Sequence, residues 1–187
     1  YAGAKDKKAP LNRLLRQLKI KRKELDLHEQ NHSEIRFLGR ESLVFSNDFS
    51  LFRGEISQKF PNSLSGFDTL VQVIDSYDPF VAQSFISARN IIQEKLGDTL
   101  LTDMLLCPLM YYGSSIENDM DFGQFVIMFR AIFQEGMFRP GGTIKDLLNI
   151  LENHYRQHGG KIRTKAGVKR ILREDTGQKI LGVELEN

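Results

Sequence analysis

Along most of the chain the apolar positions recur at three- and four-residue intervals, the period of a helix with one buried face. Pro10 opens the first such stretch, where Leu11, Leu14, Leu15 and Leu18 share a face and the opposite face is basic. Asp48 is placed to cap a helix over residues 48–60, which Pro61 stops. A helix over 65–77 follows, with Ser65 and Asp68 at capping-box positions. Further helices are predicted over 79–96, closed by Gly97, over 98–106, and over 121–134, ending at Gly136. Between the first two helices, β-capable runs at 35–38 and 41–45 flank Gly39-Arg40, which reads as a two-residue type II′ hairpin loop.

The rhythm changes near the C-terminus. Residues 137–142 read as a tight connection, and Thr143 caps a helix whose stripe is Ile144, Leu147, Leu148, Leu151 and Tyr155. Gly159-Gly160 closes it. Strands are then predicted at 161–164 and 168–173, and after a turn at 179–186, where Ile180, Val183 and Leu185 alternate with polar residues. The pattern gives an α+β chain, mostly helical with a small β-hairpin sheet. Three parts follow from it: a flexible lead-in over 1–9, a helical part over 10–137 and a helix-and-strand part over 138–187.

Composition supports a packed core, with 41% apolar residues and 13 Phe among 187 residues. Charge changes the picture only at one end. Residues 1–30 carry nine Lys/Arg against four acids, which leaves the remainder of the chain net negative. Such a basic segment is either a solvated helix face or a contact for phosphates and anionic lipid heads. Cys107 is the single cysteine, so no internal disulfide forms and a reducing, cytoplasmic setting is expected. No run approaches the roughly 20 apolar residues of a membrane span, and residues 1–30 are too polar for a signal peptide.

Chemistry of its own is not evident. His28 and His32 stand four apart, as do His154 and His158, but neither pair has partners at metal-ligand spacing, and His158 suits a helix C-terminus. There is no G-x-S-x-G, no H-E-x-x-H and no phosphate loop, so neither a catalytic residue nor a metal site is nominated. Tyr1 is not an initiator, and no glycine-rich nucleotide fingerprint occurs. The expectation is therefore a portion of a larger protein.

The stretch 138–185 is the informative one. Its order of Pro140-Gly141-Gly142, Leu147/Leu148, Gly159-Gly160, Ile162-Arg163, Val168, Ile171 and Gly182-Val183 resembles a segment of the FAD-dependent phytoene desaturase/carotenoid isomerase family, within the amine-oxidase-like flavoproteins. Upstream, LLRQLKI, the hairpin at Gly39, and the helix closing on Lys59-Phe60-Pro61 follow the same order, so the resemblance covers about residues 10–187.

The resemblance implies an oxidoreductase whose FAD sits in a separate dinucleotide-binding domain. Residues 10–137 would be the substrate domain for an apolar, isoprenoid- or carotenoid-like molecule. Residues 138–187 would return to the missing FAD domain. Val168 matches the valine whose backbone meets the adenine; read from its residues alone, it is a strand position. The implied reaction is desaturation, saturation or isomerisation, and the fragment alone would be inactive.

The apolar stretches agree with a pocket. Phe122, Phe125 and Phe129, with Phe138 nearby, sit in segments apolar on more than one face, which either pack centrally or line an apolar cavity. The competing class is a non-enzymatic helical domain that binds lipid or a membrane surface, led by the basic segment. A nucleic-acid partner is not expected, because the rest of the chain is acidic and no recognition motif occurs.

Overall fold

The computed structural model describes residues 1–81, 84–114 and 116–186. In chain order these form α1 (Pro10–Gln17), β1 (Leu27–Glu29), β2 (Ser33–Arg36), β3 (Ser42–Phe45), α2 (Phe49–Lys59), α3 (Leu64–Ser76), α4 (Ala88–Leu96), α5 (Thr99–Met110), α6 (Phe122–Phe129), β4 (Phe138–Pro140), α7 (Ile144–Gln157), β5 (Val168–Arg173) and β6 (Ile180–Leu185). The class is α+β, mostly helical. The strands pair antiparallel as β1–β4, β2–β3 and β5–β6. The chain divides into two units at Asp146/Leu147, nine residues beyond the boundary expected at 137/138.

Aspartates decide where three helices begin. Each satisfies an otherwise orphaned amide: Asp48 accepts from Ser50 at 3.0 Å, Asp98 from Leu101 at 2.8 Å, and Asp121 from Gly123 at 2.9 Å. α3 starts differently. Pro61–Ser63 form a 3₁₀ turn that runs into it, and Asp68, expected in a capping box, instead makes a bidentate pair with Arg53 of α2 at 2.6–2.7 Å. The Arg53 guanidinium holds the Asp68 carboxyl below the usual carboxylate range.

Several boundaries depart from the pattern for identifiable reasons. The helix expected over 79–96 starts only at Ala88, with Ser87 as its cap. Residues 84–86 are non-helical because their backbone serves the loop before α6: Ile86 donates to Asp121 and accepts from Phe122. Residues 82–83 of that expectation lie outside the described residues. α5 runs on through Pro108 to Met110. Proline removes one helical hydrogen bond there, yet complete burial of Leu105 and Leu109 keeps the last turn wound. The helix expected to reach 134 ends as α6 at Phe129, and a π turn, Arg130–Gln134, closed by Glu135 N–H on Arg130 O, completes the span.

The hairpin loop is five residues, 37–41. Gly39 is the third residue of its turn, at φ +71°, not the first of a two-residue loop. Residues 1–9, expected as a flexible lead-in, are built into the fold: the Tyr1 amine donates to Phe138 O at 2.6 Å, Ala2 bridges Met137, and Ala4 is buried. On α1 only Leu15 of the leucine stripe is buried. Asn12 is also buried, its amide donating to Ala4 O and Asp6 O. The tight connection at 137–142 contains β4, whose partner β1 was not foreseen. Residues 161–164 form no strand.

The core of the first unit is aromatic. Phe52 stacks on Phe133 at 4.4 Å between ring centres, and Phe45, Phe49, Phe67 and Phe129 surround that pair edge-on or tilted, with Phe125 packed behind Phe129. Close approach of α3 and α4 depends on Gly66, where a Cβ would fall 1.9 Å from Lys95 O. The second unit is unlike it, since none of its described residues is buried.

Truncation at the stacked pair should therefore weigh on the first unit alone. Phe52→Ala is expected to cost about 3–5 kcal/mol in urea unfolding, as deletion of a buried ring does. Ile180→Ala, at a side chain 66% exposed, should stay within about 0.5 kcal/mol.

Candidate functional site

Phe122, Phe125, Phe129 and Phe138 are all buried, at 5% exposure or less. The first three form a ladder that Tyr77 joins edge-on at 5.0 Å. Phe138 lies in β4, its backbone exchanging hydrogen bonds with Tyr1. These four rings belong to the buried apolar core. Val168 is the first residue of β5, paired with Leu185 and about half exposed.

A cleft of about 420 Å³ opens at the C-terminal half of α5. Leu106, Cys107, Met110 and Tyr111 form one wall, and Phe37 comes from the hairpin loop. Its polar end is Arg89, Asp103 and Asn118. Arg89, in the first turn of α4, donates through Nη1 to Asp103 Oδ1 at 2.6 Å and through Nε to Asn118 O at 2.5 Å. Asp119 fixes the same turn, accepting from the Arg89 backbone at 2.9 Å and from Ser87 Oγ at 2.6 Å. Asn118 sits at φ +59°, a conformation asparagine tolerates, which turns its carbonyl to the guanidinium. Burial first, and the Asp103 charge second, push the Cys107 thiol above its ordinary value. It is therefore a protonated, weakly nucleophilic wall residue at neutral pH.

Tyr111 also borders a neighbouring cleft of about 280 Å³, lined by Pro108, Tyr112, Ile132, Met137, Phe45, Gln30 and Ser33. This second cleft lies beside the β1–β4 ribbon. Asn47 fastens that ribbon: its Oδ1 accepts from Met137 N at 2.8 Å and from Gln30 Nε2 at 3.0 Å, while its Nδ2 donates to Met137 O at 3.1 Å. Beyond the ribbon, His28, His32 and Arg139 border an open polar hollow, and His28 Nε2 lies 3.1 Å from Asp26 Oδ2. His158 Nδ1 lies 2.8 Å from His154 O at the end of α7. Among the described residues no group of three or more His, Cys, Asp or Glu side chains could hold a metal ion.

Sequence reading missed Arg89, Asp103, Asn118 and Phe37. No periodicity links them, since they come from different elements that only tertiary packing brings together. Cys107 was visible as a lone cysteine in an apolar run.

Two measurements probe this geometry. Asp103→Asn should lower the titration midpoint of Cys107 and speed its alkylation at pH 8, because the raised thiol value rests partly on that carboxylate; rates followed against pH check it. Asn47→Ala should destabilise the first unit by about 1–3 kcal/mol, since it strands the Met137 amide, whose carbonyl keeps the Gln30 N–H. Compared with known protein families and with curated proteins, the sequence matches none.

Proposed function

We propose that this chain is the substrate-side and returning portion of an FAD-dependent oxidoreductase acting on an apolar, isoprenoid- or carotenoid-like substrate. The observation that carries the reading is the second unit's lack of a core. Leu148, Tyr155, Val168, Ile171, Ile180, Leu181 and Val183 are 49–66% exposed. An isolated two-stranded hairpin is marginal in water, and apolar faces of this extent ask for cover. The motif order from Pro140 to Val183 supports a flavin domain, supplied by polypeptide outside these 187 residues, as that cover.

The residues present fit one edge of such a cofactor. β5 has only β6 as a neighbour among the described residues, so its other edge, starting at Val168, offers backbone groups to an adenine ring. Holding the pyrophosphate needs a G-x-G-x-x-G fingerprint at a helix start, which this sequence lacks. FAD, when bound, supplies hydride or electron transfer. This chain would contribute apolar walls that hold the substrate and exclude water. By itself it is expected to be inactive.

Purification of a longer product of the same gene tests the reading. Flavin absorbance that co-elutes with the protein is the expected result, with none in the 187-residue chain. A colourless longer protein without a glycine-rich fingerprint would sink it.

A second reading rests on α1, where Leu14 and Leu18 are 47% and 41% exposed beside Arg13, Arg16 and Lys19. Such a face suits the surface of an anionic bilayer. No helix among the described residues is long and apolar enough to cross one. Co-sedimentation with anionic vesicles that persists in high salt, and is lost in Leu14→Glu/Leu18→Glu, is the outcome this reading requires.

A further inference from the structure

The geometry points to the cleft beside Cys107 as a binding site for a neutral amphiphile, an apolar chain with one hydroxyl or carbonyl head. Its volume of about 420 Å³ lies in the range of small-molecule clefts. Its walls are apolar along Leu106, Met110, Tyr111 and Phe37, and polar only at the Arg89–Asp103–Asn118 end. That division matches a ligand apolar along its length and polar at one tip.

The charge state of the polar end selects the head group. Arg89 is already matched by Asp103 at 2.6 Å, and Asp119 stands on its backbone amide, so an additional carboxylate would meet two acids against one guanidinium. Among the described residues only two of the five guanidinium N–H donors are engaged by Asp103 and Asn118, and Asp103 keeps Oδ2 free to accept. A hydroxyl can accept from the one and donate to the other. A carbonyl can accept from Arg89. This inference goes beyond the flavin reading and does not rest on it, because the whole cleft belongs to the first unit.

Cys107 lines the cleft and is the chain's single cysteine, so its alkylation reports occupancy without any assay of activity. With the full 187-residue chain and iodoacetamide at pH 8.5, 1-decanol at micromolar concentration should slow the reaction at least tenfold and saturably. Protection should strengthen about fourfold per methylene from hexanol to decanol, as burial of successive CH₂ groups predicts. Decanoate should protect at least tenfold more weakly. Met110→Trp should fill the cleft and abolish protection, with thermal melting showing that the variant is folded. Tyr111→Ala, at a side chain 87% exposed, should weaken protection several-fold without touching the core. Absence of protection by decanol, equal protection by decanoate, or unchanged protection in both variants overturns the assignment. A longer gene product without flavin would leave it standing.

Discussion

The face-to-face contact of Phe52 and Phe133 fixes the geometry of the first unit. Phe52 comes from α2, and Phe133 from the π turn after α6. Phe45, on β3, meets both rings edge-on, which anchors the hairpin to the same point. Phe49 and Phe67 bring α2 against α3, and Phe129 connects them to α6. All of these rings but the partly buried Phe49 are nearly or wholly desolvated, so the cluster supplies a large share of the hydrophobic stabilisation while edge-on contacts fix orientation. The π turn belongs to this arrangement. Its wider winding carries Ile132 and Phe133 inward together, and Arg130 donates to the carbonyls of Ile74 and Tyr77 at the end of α3.

Polar interactions then position what the aromatic cluster cannot. Asp119 and Asp121 bind the segment before α4 to the segment before α6, through Ser87, the Arg89 amide and the Ile86 amide. Arg89 consequently reaches Asp103 across two helices and closes one end of the Cys107 cleft. Asn47, next to the cap of α2, does the same for the β1–β4 ribbon. Such side chains touch little apolar surface; their importance lies in backbone groups that would otherwise be stranded.

The contrast between the two units bears on function. The first buries its apolar residues around one cluster. The second spreads comparable residues over a helix and a hairpin without burying any. A helix with an apolar stripe and a hairpin with an open edge are parts that gain stability by completing another layer. The proposed flavin domain would provide that layer, and the order of motifs from Pro140 onward is what makes it the favoured cover.

Sequence alone determined the features that rest on local physics. Asp48, Asp98 and Asp121 begin helices because an aspartate before an apolar repeat satisfies free amides, and Gly97 ends one because it adopts the left-handed conformation. The mostly helical α+β class follows from the same periodicity. Tertiary structure decided the rest. A helix apolar all round, such as 122–129, carries no mark of whether it packs or lines a cavity; the structure buries Phe122, Phe125 and Phe129 in the core cluster. Nothing local announces β1, whose three residues become a strand only because β4 lies alongside. Pro108 should break α5, but the buried leucines around it outweigh one lost hydrogen bond. The cleft is the clearest case. Phe37, Arg89, Asp103 and Asn118 are far apart along the chain, and their common site exists only where helices, hairpin and loop converge.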